Sequence, residues 1–249
     1  MIAFMDFRLR PITSLLIFCA RFVATQMGTI QSAIIVVPPQ FDEIQVLTLA
    51  DVLRRAEIQV TLAALGNSSQ EVQGQHGLSI VADTILPTTA DPMADLIVIP
   101  SGSQSYEFMI ARSDLGAVLK SYAAAQKYVA ALGTGVAVLA TFSIYSGSQV
   151  TAYASVQSVA SATYRVLDQN IVVDGPLFTA RMTVNALPFA LQLVEKGRSA
   201  LLAREISYGL YSQTKLKLGV RGGDCALIRP QLFILAMKPI LLIFNQLTH

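Results

Sequence analysis

The sequence predicts an α/β protein, a doubly wound and mostly parallel sheet with helices on both faces, of the flavodoxin-like three-layer kind. Three observations carry this expectation. Apolar residues make up 53% of the chain and charged residues 14%, an excess that parallel strands buried on both faces would produce. Short apolar runs alternate along the chain with stretches of helical periodicity. A length of 249 residues suits one well-buried domain with extensions and is too short for two large ones. A membrane protein would also be apolar, but no uninterrupted run reaches the roughly 18 residues a spanning helix needs. Arg, Lys, Pro or Asp intervenes each time.

Residues 1–26 are expected to be an N-terminal extension. Arg8, Arg10 and Arg21 surround the apolar run Leu15-Leu16-Ile17-Phe18, a pattern that fits either a targeting segment with basic flanks or an over-extended gene start. The domain is expected over residues 27–212. It opens with a strand at Ala33 to Val37, then Pro38-Pro39, then a helix whose apolar residues Val46, Leu49, Ala50 and Leu53 fall at i, i+3, i+4 and i+7. A strand at Ile58 to Leu65 follows, with further strands at Leu78 to Val81 and Leu96 to Ile99. Ser113 and Asp114 are placed to cap a helix that runs to about Gln126. Tyr128 to Leu132 is a strand that breaks at Gly133-Thr134-Gly135 into a helix from Val136. Short strands around Val150, Tyr164 to Leu167, Ile171 to Val173 and Leu177 to Thr179 precede helices at Asn185 to Glu195 and Ser199 to Tyr208. Residues 213–249 form a C-terminal extension with no placement. Their apolar run from Leu232 to Phe244 is broken by Lys238-Pro239 and suits a docking or interfacial segment better than a membrane span; a non-native extension of the reading frame is the alternative.

Composition removes several functions. A net charge of +2 without a Lys/Arg cluster argues against nucleic acid. Cys19 and Cys225, one near each end, can build neither a disulfide framework nor a four-cysteine zinc site, and an intracellular, cytoplasmic protein is expected, or an organellar one if residues 1–26 are a transit peptide. His76 and His249 are the only histidines, which leaves little for histidine-based catalysis or metal binding. No metal is expected. Gly133-Thr134-Gly135 between a strand and a helix has the look of a dinucleotide turn, yet the third glycine is missing and the next acidic residue is Asp168, so the tight turn is preferred and no cofactor is expected.

Thr134 beside Gly133 could act as a nucleophile only with a base, and Gln45 and Tyr153 are poor bases near neutral pH. His76 lies in the polar loop Gln73-Gly74-Gln75-His76-Gly77 and reads as a solvated loop histidine. Asp42-Glu43 read as capping groups at the positive end of the helix dipole, and Arg54-Arg55 as cations suited to its other end. Asn67-Ser68-Ser69 fits a glycosylation acceptor by pattern alone.

Taken together, several of these pieces resemble the DJ-1/ThiJ/PfpI superfamily, which has the class I glutamine amidotransferase-like fold. The pieces are Phe41-Asp42-Glu43-Ile44-Gln45, Ala50-Asp51-Val52-Leu53-Arg54-Arg55-Ala56 and Ile58-Gln59-Val60-Thr61, then Gly77 to Asp83, Asp95 to Gly102, the Gly133 elbow, and Val173 to Arg181. Their order and spacing cover residues 31–211. The resemblance implies a nucleophilic cysteine on the strand-to-helix elbow, where Gly133 stands. It implies an acid sharing that cysteine's proton, where Gln45 stands, and a histidine beyond it, where Tyr153 stands. Paired glycines after the proline are replaced by Ser101-Gly102, and a Ser-Arg-Gly-Pro-Gly stretch reads Ala180-Arg181-Met182-Thr183-Val184. With no side chain at Gly133, neither covalent attack nor oxidation to a sulfinate is available there.

The resemblance therefore implies a degenerate, non-catalytic member, a homodimer packed partly through its first helix. A cleft bounded by Gln45, Ser101, Gly102, Gly133, Thr134 and Tyr153 would hold a small polar ligand or a protein partner. The alternatives are a glyoxalase or deglycase-type enzyme acting on reactive carbonyls or glycation adducts through an altered site, or a stress-related chaperone. The last needs an oxidisable group, and Cys19 and Cys225 lie outside the matched region.

Overall fold

A computed structural model describes residues 30–66, 69–88 and 93–211. The two extensions with Cys19, Cys225 and His249, and Asn67-Ser68 of the glycosylation pattern, lie outside the described residues. From β1 (Ser32–Val37) the chain passes through Pro38-Pro39 into α1 (Glu43–Arg55), whose stripe Val46, Leu49, Ala50 and Leu53 is buried, and then into β2 (Gln59–Ala64). A hairpin of β3 (Glu71–Gln73) and β4 (Ser79–Val81) leads to β5 (Thr84–Ile85) and β6 (Leu96–Ile99). Helices α2 (Ser105–Ile110) and α3 (Ser113–Ala124) return the chain to β7 (Tyr128–Leu132), which bends at Gly133 into α4 (Gly135–Thr141). Then come β8 (Gln149–Val150), a 3-10 turn at Ala154–Val156, α5 (Gln157–Ser161), β9 (Arg165–Val166), β10 (Ile171–Asp174) and β11 (Leu177–Ala180). A second 3-10 turn, Thr183–Asn185, opens α6 (Ala186–Gly197), followed by α7 (Ala200–Tyr211).

The main sheet has the order β10-β11-β7-β6-β1-β2-β5. Every neighbouring pair is parallel except β10 with β11, so the doubly wound, mostly parallel α/β fold is as expected. All four residues of β6 are buried, because the strand lies at the centre with side chains alternating to two covered faces. Ile97 and Ile99 join Val129, Ala131, Met109, Leu119 and Leu139 in one core cluster, beneath α2, α3 and α4. On the other side α1 packs against α6. No helix among the described residues is long and apolar enough to cross a membrane.

Several expectations need correction. Leu78 to Val81 does hold a strand, Ser79–Val81, but it pairs antiparallel with β3 in a separate hairpin and does not join the main sheet, and Leu78 and Val81 are exposed. A short apolar run reports extended backbone, not which surface covers it. The strands around Val150 and Tyr164 shrink to two residues each and form their own parallel pair. The cap position of α3 falls to Arg112, which makes no side-chain cap bond, and Asp114 sits inside the first turn, where it accepts from the Leu115 N–H at 2.9 Å and from Arg112 Nε at 3.0 Å. The guanidinium's hydrogen bond holds the Asp114 carboxyl below its usual range, against the opposing effect of partial burial.

Candidate functional site

Gly133 ends β7 with φ +55°, a left-handed conformation that costs other residues roughly 1–2 kcal/mol. Its N–H donates to Ala180 O at 2.8 Å, so the bend stays stitched to β11. A Cβ at this position would stand 2.9 Å from Ser101 Oγ and 3.1 Å from Ser101 Cβ. The space beside the elbow is thus filled from the neighbouring loop, not from the elbow itself. Gly102 is required for a different reason: a Cβ there would fall 1.9 Å from Gln40 O, where the 101–102 backbone pairs with Phe41 and Asp42.

Ser101 is fixed by Gln45, which is fully buried. The Ser101 N–H donates to Gln45 Oε1 at 2.9 Å and Gln45 Nε2 donates to Ser101 Oγ at 2.6 Å. An N–H can only donate, so this pair of bonds sets the orientation of the amide. Nε2 also reaches Thr183 Oγ1 at 3.0 Å and Asp42 Oδ2 at 3.3 Å. Asp42 caps α1, accepting from the Gln45 N–H at 3.1 Å in the way a short polar side chain satisfies a free helix N–H. One side chain from α1, one from the loop after β6 and one from the turn before α6 are therefore locked into a single buried network.

Above the network opens a cleft of about 530 Å³, lined by Asp42, Gln75, Ser101, Gly102, Ser103, Gly133, Thr134, Tyr153, Ser155, Met182, Thr183 and Val184. The structure brings five of the six expected residues to its wall. Gln45 is the exception: it is the support of Ser101 and lies beneath the surface. Met182, Thr183 and Val184 come from the stretch whose departure from the family pattern was visible in the sequence. Gln75, Ser103 and Ser155 carried no such signal, because each is brought in by a loop whose path depends on tertiary contacts. Thr134 Oγ1 is buried without a hydrogen-bond partner, so no base contacts it. Among the described residues no group of three or more His, Cys, Asp or Glu is close enough to hold a metal ion.

Two further residues depart from expectation. His76 is exposed but not merely solvated: its N–H donates to Glu43 Oε1 at 2.6 Å and its Nδ1 stands 3.1 Å from Glu43 Oε2. Glu43, 33 positions away in sequence, is thus a clasp for the 74–77 loop and not a helix cap. Burial of Glu43 favours its neutral form, yet the hydrogen bonds from His76 outweigh this and hold the carboxyl below its ordinary value. Arg54 and Arg55 are paired with Asp83 and Asp51.

The chain matches the model of the DJ-1/PfpI family over residues 31–196. It is 33% identical to the protein dj-1beta of Drosophila melanogaster over 181 residues, which is 72% of this chain and 96% of that one. It is 30% identical to a Caenorhabditis elegans protein named glutathione-independent glyoxalase DJR-1.2, covering 68% of this chain and 90% of that one. The crystal structure of Drosophila melanogaster DJ-1beta superposes with a TM-score of 0.70 at 31% identity, over 73% of this chain and 98% of that one.

Proposed function

Because the chain belongs to the DJ-1/PfpI family, we propose that it is a member without nucleophilic chemistry, which uses the cleft at the Gly133 elbow to bind a small polar ligand. The observation that carries this is the elbow itself. Gly133 offers no nucleophile, and Ser101 Oγ would lie 2.9 Å from any Cβ placed there, so a side chain at this position would force Ser101 to shift. The acid expected beside it is the amide Gln45, which is fully bonded and does not titrate. Tyr153 completes the replacement of the three groups. The cleft is open, its wall combines serine and tyrosine hydroxyls with a larger apolar surface, and its volume is that of small-molecule sites.

Chemistry of the kind named for the Caenorhabditis elegans relative would require some other activated nucleophile, and Thr134 has no partner to activate it. The purified full chain, incubated with methylglyoxal beside a relative that retains the elbow cysteine, should consume none above the buffer rate. Turnover comparable to that relative's defeats the proposal. The family resemblance also supports a homodimer packed partly through α1, whose outer face leaves Ile44 and Leu47 exposed. Light scattering on the eluting peak should give twice the monomer mass.

A further inference from the structure

Resting on that binding role, we infer that the cleft selects an uncharged polyhydroxylated ligand, a sugar or sugar-like polyol, and rejects anions. The first ground is charge. Asp42 carries the only formal charge among the described residues that line the cleft; no Lys, Arg or His is among those residues. The nearest arginine in sequence, Arg181, is directed to Asp168, and His76 is engaged by Glu43. A carboxylate or phosphate entering here meets a fixed negative charge in a half-enclosed space, with no cation to offset it.

The second ground is the state of the hydroxyls. Gln45 Nε2 donates to Ser101 Oγ, and because the amide is oriented by the Ser101 N–H, Ser101 must accept there. Its own proton has no acceptor among the described residues, so it is free to donate into the cleft. Ser103, Tyr153 and Ser155 add hydroxyls on the wall, each able to donate and accept. A ligand with both donor and acceptor functions on each oxygen matches such a wall; a ligand that only accepts does not. Val184 and Met182, both partly or largely exposed, supply the apolar surface on which a ring's C–H face can lie.

Calorimetric titration of the full chain with D-glucose, D-ribose or myo-inositol, and with D-glucuronate and glucose 6-phosphate as charged counterparts of glucose, tests this. At least one neutral probe should bind, with each charged analogue of a binder at least about tenfold weaker, the size of effect expected of one unscreened like charge at close range. Asp42→Asn, which keeps a capping side chain, should narrow that gap. Ser155→Ala, at an exposed position where folding is not at stake, should weaken the neutral binder severalfold. Charged analogues binding as well as or better than neutral ones overturn the ligand class while leaving a binding function in place. Absence of binding by every neutral probe to folded protein also overturns it. Consumption of methylglyoxal would instead defeat the non-catalytic role, whatever the titrations show.

Discussion

Placing a cysteine on the elbow by Gly133→Cys should destabilise the fold when made alone and be better tolerated in company with Ser101→Gly. The new Cβ would meet Ser101 Oγ at 2.9 Å and Ser101 Cβ at 3.1 Å. Rotating Ser101 away breaks its 2.6 Å bond to Gln45, so the contact is not relieved cheaply. The left-handed backbone at +55° adds roughly 1–2 kcal/mol for a non-glycine residue, and crowding of a packed site adds about 1–3 kcal/mol. Gly133→Cys alone should therefore cost about 2–5 kcal/mol. Ser101→Gly alone forfeits one hydrogen bond and gains chain entropy in the unfolded state, about 1–2.5 kcal/mol together. In the double variant the crowding term vanishes while the backbone term stays, so the pair should be less destabilising than the sum by about 1–3 kcal/mol. Urea unfolding of the four chains of the cycle measures this, with equal slopes as the check that only stability has changed. Additivity to within about 0.5 kcal/mol would refute the claim that Ser101 occupies the elbow's side-chain space.

Three other outcomes follow from named contacts. Thr134→Val exchanges a buried hydroxyl without a partner for a methyl group of similar size, and should leave urea stability unchanged or raise it by about 1 kcal/mol; a loss above that would mean the hydroxyl is bonded. Gly102→Ala should cost more than about 3 kcal/mol, since its Cβ would overlap Gln40 O at 1.9 Å, and a variant with a near-normal thermal midpoint would contradict the loop geometry. The Glu43 carboxyl titrates below its ordinary 4.5 in the folded chain, with burial opposing and His76 favouring the charge. It thus contributes stability above pH 4.5 that is lost as pH falls through its lowered folded value. Glu43→Gln should flatten stability against pH in that acid window, and coincident wild-type and variant profiles would rule the contribution out.

The fold was legible where its causes are local. Ala33 to Val37 and Tyr128 to Leu132 are short apolar runs of β-branched and small residues, and α1 carries its apolar stripe at helical spacing; both patterns name an element without reference to any neighbour. What escaped notice depends on partners distant in sequence. The Leu78 to Val81 run becomes a hairpin wing because β3 pairs with it, and α2 carries no cap bond by which its start could be found. The site divides in the same way. Gly133, Gln45 and Tyr153 stood out as departures from a resembled pattern, but that Gln45 supports the wall from beneath, and that Glu43 clasps His76 across 33 positions, are facts of tertiary contact with no trace in spacing.

The side chains around the elbow are mutually consistent, and this bears on the use of the cleft. A glycine at 133 would by itself leave a gap, and an amide at Gln45 would by itself bring two buried N–H donors that need acceptors. Here the serine that fills the gap is the group that accepts from the amide, and the amide's oxygen takes the serine's N–H in return. Thr183 accepts another of the amide's bonds and donates in turn to Asp42. A site drifting without constraint would accumulate unpaired buried groups, each costing about 1–3 kcal/mol. Only Thr134 Oγ1 is left in that state among the described residues lining the cleft. The closed network fixes the side chains beneath the cleft, and a fixed wall is the condition for selective binding that a loosely held one would not meet.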